Sequence, residues 1–286
     1  MERARSRLYE GFAYYLKSFL FARPVSRILR RFIVRVLMRQ HHEFGPHNVF
    51  LVFNRSVGSL LVDGTRYYMY CSEYEKKPVN VFVCLLKKLG RGVFIDVGAY
   101  VGFYTVLAAR HDWRVICLEP NPLSLILLKY NTGLHRLESR VKIVGKAAGD
   151  KRGYAFFTIA SNPSQSSFTR FLRDEMKLLN VVVEVETVDS VVDSLGISSG
   201  VNLLLKVDVE GFGLNALKGA MKTIKGLRPF ILFEVHRTFD EGDEINALRM
   251  LRDVGYEFVV LEPRSKENFI VYAYPRERGR LCCEQA

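Results

Sequence analysis

Residues 203–213 read LLLKVDVEGFG, an apolar run that ends in Lys206, Asp208 and Glu210. Side chains of a strand alternate between its faces, so these three charges would share one side while Leu205, Val207 and Val209 share the other. A charge buried without a partner is costly, which makes charges at the mouth of a core strand candidates for binding or catalysis. Asp208 and Glu210 can hold a cation and orient a hydroxyl, and either can act as a base where burial raises its pKa. A second run, FILFEVH at 230–236, closes on Glu234 and His236. His236, with an intrinsic pKa near neutrality, is the preferred general base, and Glu234 is expected to support it on the substrate side. The plainer alternatives are an Asp208–Lys206 pair, Glu210 as the cap of a helix starting near Phe212, and His236 as a strand-end histidine.

A different signal lies upstream in FIDVGAYVGFYT, residues 94–105. A strand ends at Asp96, Gly98 and Gly102 shape a turn, and an apolar helix follows. Glycines let the backbone approach a ligand closely, while the helix N-terminus offers free N–H donors and a partial positive charge. On the next strand Glu119, 23 residues beyond Asp96, is placed to accept hydrogen bonds from both hydroxyls of a ribose, and Pro120 and Asn121 stop that strand. The spacing D-x-G-x-x-x-G is not the G-x-G-x-x-G that seats a pyrophosphate. S-adenosylmethionine has no phosphate and carries an amino-acid end whose ammonium Asp96 could bind. It is therefore the cofactor expected at Asp96, Gly98, Ala99, Tyr100, Gly102, Thr105, Glu119, Pro120, Asn121 and Asp208. A nicotinamide-dependent oxidoreductase would share the glycine turn and the acid, but it lacks the glycine spacing and leaves the KVDVEG carboxylates idle. A third reading is a non-catalytic domain tethered to lipid or nucleic acid by a basic segment.

These residues need a scaffold that brings strand ends together. Apolar strands at 93–98, 115–120, 141–148, 202–211 and 230–235, with helices between most of them, predict a doubly wound, Rossmann-like, mostly parallel sheet. Two further runs, YEFVVLE and NFIVYAY, predict an antiparallel C-terminal hairpin. In such sheets ligands bind at the C-terminal ends of the strands, near the switch in strand order. Between the third and fourth strands lies an insertion expected over the sheet edge, GYAFFTIA, SNPSQSSFTRF and VVVEVETVDSVVDSLG. Its polar loop carries Ser166 and Ser167, candidates for contact with substrate. Four segments result: a basic amphipathic helical extension at 1–45, a β-hairpin and helix at 46–90, the main α/β domain at 91–275, and a flexible tail at 276–286.

In this combination the chain resembles the FkbM-type methyltransferases, a branch of the class I S-adenosylmethionine-dependent enzymes. The resemblance runs in order through FIDVGAYVGFYT, CLEPNP, KAAGD, SSF, VETVDSVV, LLKVDVEGFGLNALKGA and RPFILFEVH, over residues 93–236. It implies a doubly wound sheet with a reversed last strand and with the first and fourth strands adjacent, so that Asp208 and Glu210 emerge beside the sulfonium. It also implies methyl transfer to a hydroxyl oxygen, often on a carbohydrate or secondary metabolite. Residue by residue, Asp96, Gly98 and Gly102 would cradle the methionine moiety, Glu119 the ribose, and the segment around Ala147 the adenine. Two departures stand out: Tyr100 where the family usually has asparagine, and Gly213 where an acid is common three positions after Glu210.

Charge and cysteine usage add the setting. Of a net charge of +12, most lies in residues 1–45, which hold ten Lys and Arg against three acids. Arg27, Arg31, Arg35 and Arg39 form one ridge of an amphipathic helix, which suits peripheral association with an anionic membrane; nucleic acid is not the expected partner. No run approaches the ~18 uncharged residues of a membrane span, and Lys17 interrupts the apolar stretch that a signal peptide would need. The five cysteines, at 71, 84, 117, 282 and 283, show neither CxxC nor Cys/His spacing. No disulfide framework and no metal are expected, and a cytoplasmic location, with the inner membrane surface within reach, fits. The remaining partner is the hydroxyl acceptor itself, a small molecule or glycan.

Overall fold

A run such as Leu203, Leu204 and Leu205 has no solvent face and must sit in a sheet covered on both sides. The computed structural model, which describes residues 75–160, 166–167, 177–236, 243–263 and 268–282, builds such a sheet. In chain order the elements are α1 (Lys76–Leu89), β1 (Gly92–Val97), α2 (Phe103–Arg110), β2 (Arg114–Leu118), α3 (Pro122–Leu134), β3 (Val141–Val144), β4 (Ala147–Ala148), β5 (Gly153–Ala160) and β6 (Lys177–Glu186). There follow α4 (Val188–Ser194), β7 (Asn202–Val207), α5 (Gly213–Lys218), α6 (Met221–Leu227), β8 (Phe230–His236), α7 (Asp243–Asp253), β9 (Tyr256–Pro263) and β10 (Asn268–Pro275). The basic helix expected at 25–39 and the hairpin expected at 49–70 lie outside the described residues.

The main sheet has the order β3-β2-β1-β7-β8-β10-β9. Strands β3, β2, β1, β7 and β8 pair in parallel, and β10 runs antiparallel to both β8 and β9. This is the mostly parallel, doubly wound sheet with an antiparallel C-terminal hairpin that the apolar runs predict. Alternation along the strands divides the core in two. Phe94, Leu204 and Leu232 join Phe82 of α1, Leu107 of α2 and Leu128 of α3 on one face. Ile95, Leu205 and Phe233 join Val188 of α4, Leu217 of α5, Ile224 of α6 and Leu251 of α7 on the other. Helix α1 begins two residues before Pro78, which the first turn tolerates, and ends at Gly90 (φ +73°) behind Lys87 and Lys88.

Two strand expectations need correction. The run 141–148 is not one strand: β3 stops at Val144, and Ala147–Ala148 pairs in parallel with Val185 and Glu186 of β6 in a separate three-stranded sheet, β4-β6-β5. The insertion thus forms its own sheet, branching from the chain just after the edge strand β3. The run 202–211 ends as a strand at Val207, so Asp208 and Glu210 stand beyond its tip.

Residues 276–282 of the C-terminal segment make specific contacts with the main domain. Arg228 forms a two-pronged pair with Glu277 (2.6 and 2.8 Å), Lys88 Nζ donates to the Leu281 carbonyl (2.7 Å), and Cys282 is buried. Cys282 forms a disulfide with Cys84 of α1, which overturns the expectation that no cysteines pair. The two residues are 198 positions apart, so no local spacing could announce them. Cross-linking so long a loop should stabilise the fold by roughly 2–5 kcal/mol, chiefly by restricting the unfolded chain. Urea unfolding with and without reductant should show a lower midpoint for the reduced chain, and Cys84→Ser should match it; identical midpoints would mean that the bond contributes nothing.

Candidate active site

The carboxyl ends of β1, β7 and β8 lie side by side, and side-chain alternation brings the polar residues there to one face. Phe94, Leu204 and Leu232 belong to the first hydrophobic cluster. Two or four residues further along the same strands stand Asp96, Lys206, Glu234 and His236, all buried. Asp96 faces Lys206 in register across β1 and β7.

The β1–α2 corner is shaped by close backbone approach. Asp208 N–H donates to the Val97 carbonyl (3.0 Å), and a Cβ on Gly98 would lie 1.9 Å from the Asp208 carbonyl oxygen. With φ at +79°, position 98 accommodates no side chain. Gly102 (φ +94°) is equally tight against Leu128, where a Cβ would sit 2.5 Å from Cδ1. Tyr100 also has a left-handed backbone (φ +51°), a conformation that suits asparagine better than an aromatic residue. Its contribution at the corner is its main chain: Tyr100 N–H donates to Glu119 Oε2 and Asn121 N–H to Glu119 Oε1, both at 2.8 Å. Each oxygen keeps a further lone pair for a hydroxyl donor. Asn121 also caps α3, with Oδ1 accepting from Leu123 N–H (3.0 Å) ahead of Pro122 at the first helical turn.

Asp96 Oδ2 accepts from Thr105 Oγ1 (2.6 Å), but Oδ1 is buried and meets no hydrogen-bond donor among the described residues. Burial holds the Asp96 carboxyl above its usual range, with Lys206 and Thr105 pulling the other way. Burial likewise pushes Glu119 up to about 7, against the two backbone donors. Lys206 Nζ sits 2.7 Å from Asp208 Oδ2 and 4.9 Å from the centre of the Tyr104 ring, while the Tyr104 hydroxyl donates to Glu75. Burial opposes charge on Lys206, yet Asp208, Asp96 and Glu75 together raise its pKa.

His236 lies among three acids. Its Nε2 is 3.6 Å from Asp208 Oδ1 and 3.8 Å from Glu234 Oε1, and its Nδ1 is 3.4 Å from Glu210 Oε2. Burial alone would lower the imidazole's pKa; Asp208, Glu210 and Glu234 outweigh it and push it up to about 10. The helix after Glu210 has Phe212 as its N-cap with no capping side chain, so Glu210 is not the cap that one plain reading made it. The Asp208–Lys206 pair of the other plain reading is present, alongside the His236 cluster.

The insertion reaches the same place. Ser166 Oγ accepts from Asn121 Nδ2 (3.2 Å) and from Ala160 N–H (3.1 Å), while Ser167 Oγ donates to the Glu210 carbonyl and its backbone bridges to Thr158. Ser166–Ser167 therefore ties the Glu119 side of the corner to the Asp208 side. Ala99 is buried in the turn, its carbonyl accepting from Gly102 N–H (2.8 Å). Pro120 is half-buried between Glu119 and Asn121. Ala147 is buried in β4, against the small sheet's own cluster. Glu75 and Tyr104, which support Lys206 from below, were not singled out by the sequence; Glu75 offers no motif, and its link to Tyr104 spans 29 positions.

A parallel sheet in this order, with a glycine corner and an acid at the tips of its first two strands, is that of a Rossmann-like methyltransferase. The chain belongs to the FkbM methyltransferase family: the profile of the Methyltransferase FkbM domain matches residues 96–258. Among solved structures it is similar to methyltransferase FkbM from Methylobacillus flagellatus, with 18% identity over 65% of this chain and a TM-score of 0.48. It spans 44% of that protein's length. It is also similar to an O-methyltransferase from Bacillus cereus in complex with SAH, at 12% identity over 91% of this chain and 96% of the other, with a TM-score of 0.42. A human methyltransferase 10 domain containing protein matches at 11% identity over 88% of this chain and 96% of that one, with a TM-score of 0.42. No curated protein matches the sequence.

The acid cluster has a measurable signature. The folded-state pKa of His236 is above its unfolded value of 6.5, so its contribution is fully present below pH 6.5 and is lost as pH rises towards about 10. Urea midpoints of the wild type and His236→Gln should therefore differ most near pH 6.5 and converge as pH approaches 10. A constant difference across that window would show that the imidazole carries no extra proton.

Proposed function

We propose that this FkbM methyltransferase moves a methyl group from S-adenosylmethionine to a hydroxyl oxygen of a carbohydrate, a lipid-linked glycan or a secondary metabolite. The observation that carries the reading is Asp96 Oδ1, a buried carboxylate oxygen with no protein donor among the described residues, at a corner where Gly98 and Gly102 exclude side chains. An ammonium fits that oxygen, and a ribose fits the remaining lone pairs of Glu119. In this reading Ala99, Tyr100, Thr105, Pro120 and Asn121 complete the cofactor's surroundings, and Ala147 lies on the adenine side. Bound there, the cofactor supplies a methyl carbon; the acceptor oxygen bonds to it as the carbon–sulfur bond breaks and its electrons stay on sulfur.

The chain's own task is to align the acceptor and take its proton. Asp208, held by Lys206, and Glu210 orient the hydroxyl. His236 binds its proton tightly in the cofactor-free cluster, and a cation bound beside it works against that positive charge. Nε2 is then an acceptor for the hydroxyl proton, with Glu234 behind it. Ser166 and Ser167 line the acceptor side. Calorimetry should show binding of S-adenosylmethionine but not NAD, with affinity reduced about ten- to a hundredfold in Asp96→Asn as one charge-assisted hydrogen bond is lost. Binding of NAD instead, or a variant with full affinity, would refute the cofactor assignment; a compound lacking one methyl group in cells without the protein would identify the acceptor.

For the setting, the Cys84–Cys282 bond favours an oxidising compartment over the cytoplasm that the cysteine spacing suggests. No helix of the described residues is long and apolar enough to cross a membrane. Residues 1–45 are proposed to hold the protein on an anionic lipid surface through Arg27, Arg31, Arg35 and Arg39. Replacing these four arginines with glutamine in the full chain should release it from phosphatidylserine vesicles at moderate salt and leave cofactor affinity unchanged; retained vesicle binding would rule out this anchor.

A further inference from the structure

The cluster at the ends of β7 and β8 brings three acids together around one imidazole. The acids are Asp208, Glu210 and Glu234, and Lys206 is the ammonium paired with Asp208. Even with His236 protonated, these five side chains sum to one net negative charge, in a site where Glu234 and His236 are almost fully buried.

We propose that Asp208, Glu234 and His236 form a divalent-cation site, filled by an oxygen-preferring ion such as Mn2+ or Mg2+, at the acceptor end of the pocket. One ligand atom from each lies within 4.8 Å of the other two. From His236 Nε2, Asp208 Oδ1 is 3.6 Å away and Glu234 Oε1 3.8 Å. An ion with bonds of ~2.1 Å in octahedral geometry needs neighbouring ligands ~3.0 Å apart and opposite ones ~4.2 Å apart, so these atoms need close by only tenths of an ångström. Two carboxylate oxygens and one imidazole form a predominantly hard ligand set, which suits Mn2+ or Mg2+ over thiophilic ions.

A second, independent feature is the arrangement behind the ligands. Metal-bound histidines commonly give their other ring N–H to a carboxylate, which fixes the tautomer. Here His236 Nδ1 faces Glu210 Oε2 at 3.4 Å, leaving Nε2 turned toward Asp208 and Glu234. Lys206 holds Asp208 by Oδ2 at 2.7 Å, leaving Oδ1 toward His236. The cluster also has an entrance: the side chains of Asp208 and Glu210 are 27% and 22% exposed, those of His236 and Glu234 3% and 5%. An ion held there would take the Nε2 lone pair that serves as proton acceptor in the ion-free site. It would bind an acceptor oxygen and lower its pKa, and the hydroxyl proton would pass to Glu210 or to solvent at the entrance as the methyl group is transferred.

The proposal depends on the methyltransferase reading for the use of the ion, not for its ligands, and the two are tested separately. The full-length chain, treated with chelator and dialysed, is titrated with Mn2+ while the electron paramagnetic resonance signal of the free ion is followed. One Mn2+ per chain should bind below about 1 mM. His236→Ala and Glu234→Gln should each weaken it at least about tenfold, whereas Asp96→Ala should lose S-adenosylmethionine and keep Mn2+. Substoichiometric Mn2+ should also broaden the ring protons of a single histidine, the one missing from the His236→Ala spectrum, which needs no comparison of variant stabilities. Absence of Mn2+ binding, or binding that both variants retain, overturns the site. A chain that binds Mn2+ but not S-adenosylmethionine refutes the functional reading alone, and the reverse result refutes the cation site alone.

Discussion

Asp96 and Lys206 face each other in register across two parallel strands, and the site is organised around that buried opposition of charge. Neither charge would be tolerated alone in the sheet interior. Lys206 answers Asp96 through space, binds Asp208 directly, and rests over the Tyr104 ring, whose hydroxyl is held by Glu75. One ammonium therefore anchors an acid within β1 and an acid just beyond the tip of β7. Moving it would leave two carboxylates repelling each other across a gap one strand wide.

The backbone makes the same connection in another way. The Asp208 carbonyl occupies the space where a side chain at position 98 would be, and the Asp208 N–H bonds back to Val97. The glycine turn after β1 and the carboxylate loop after β7 are thus packed main chain to main chain. This explains why two sequence blocks more than a hundred positions apart carry residues of such restricted type: each limits the other at contact distance. Ser166 and Ser167 add a third partner, bonded to Asn121 on one side and to the Glu210 carbonyl on the other.

Much of this was legible because a parallel sheet buried on both faces has a plain signature. VFIDV, VICL, LLLKV and FILFEV are apolar almost throughout, so their lengths and their order predict the sheet. The acids are visible for the same reason, since a charge ending such a run is conspicuous. What the sequence hid depends on distance along the chain. Ala147 and Ala148 look like the continuation of β3, but their partners are Val185 and Glu186, and local pattern cannot announce a pairing of that range. The crowding of Glu210, Asp208 and Glu234 around His236 also depends on how two strand ends and a turn approach one another. That crowding turns a histidine with an ordinary reference pKa into one that clings to its proton.

Cys84 and Cys282 close a covalent ring that contains β1, β7, β8 and, Glu75 excepted, every site residue described above. A cut at any single peptide bond inside that ring would open it without setting a fragment free, so the two halves of the pocket would stay tethered. Residues 1–83 join the ring at Cys84 and the last four residues leave it at Cys282. Chain on either side of the ring is thus attached at one covalent point, and a pull transmitted from before Cys84 to beyond Cys282 would pass through the bridging sulfurs without crossing the sheet.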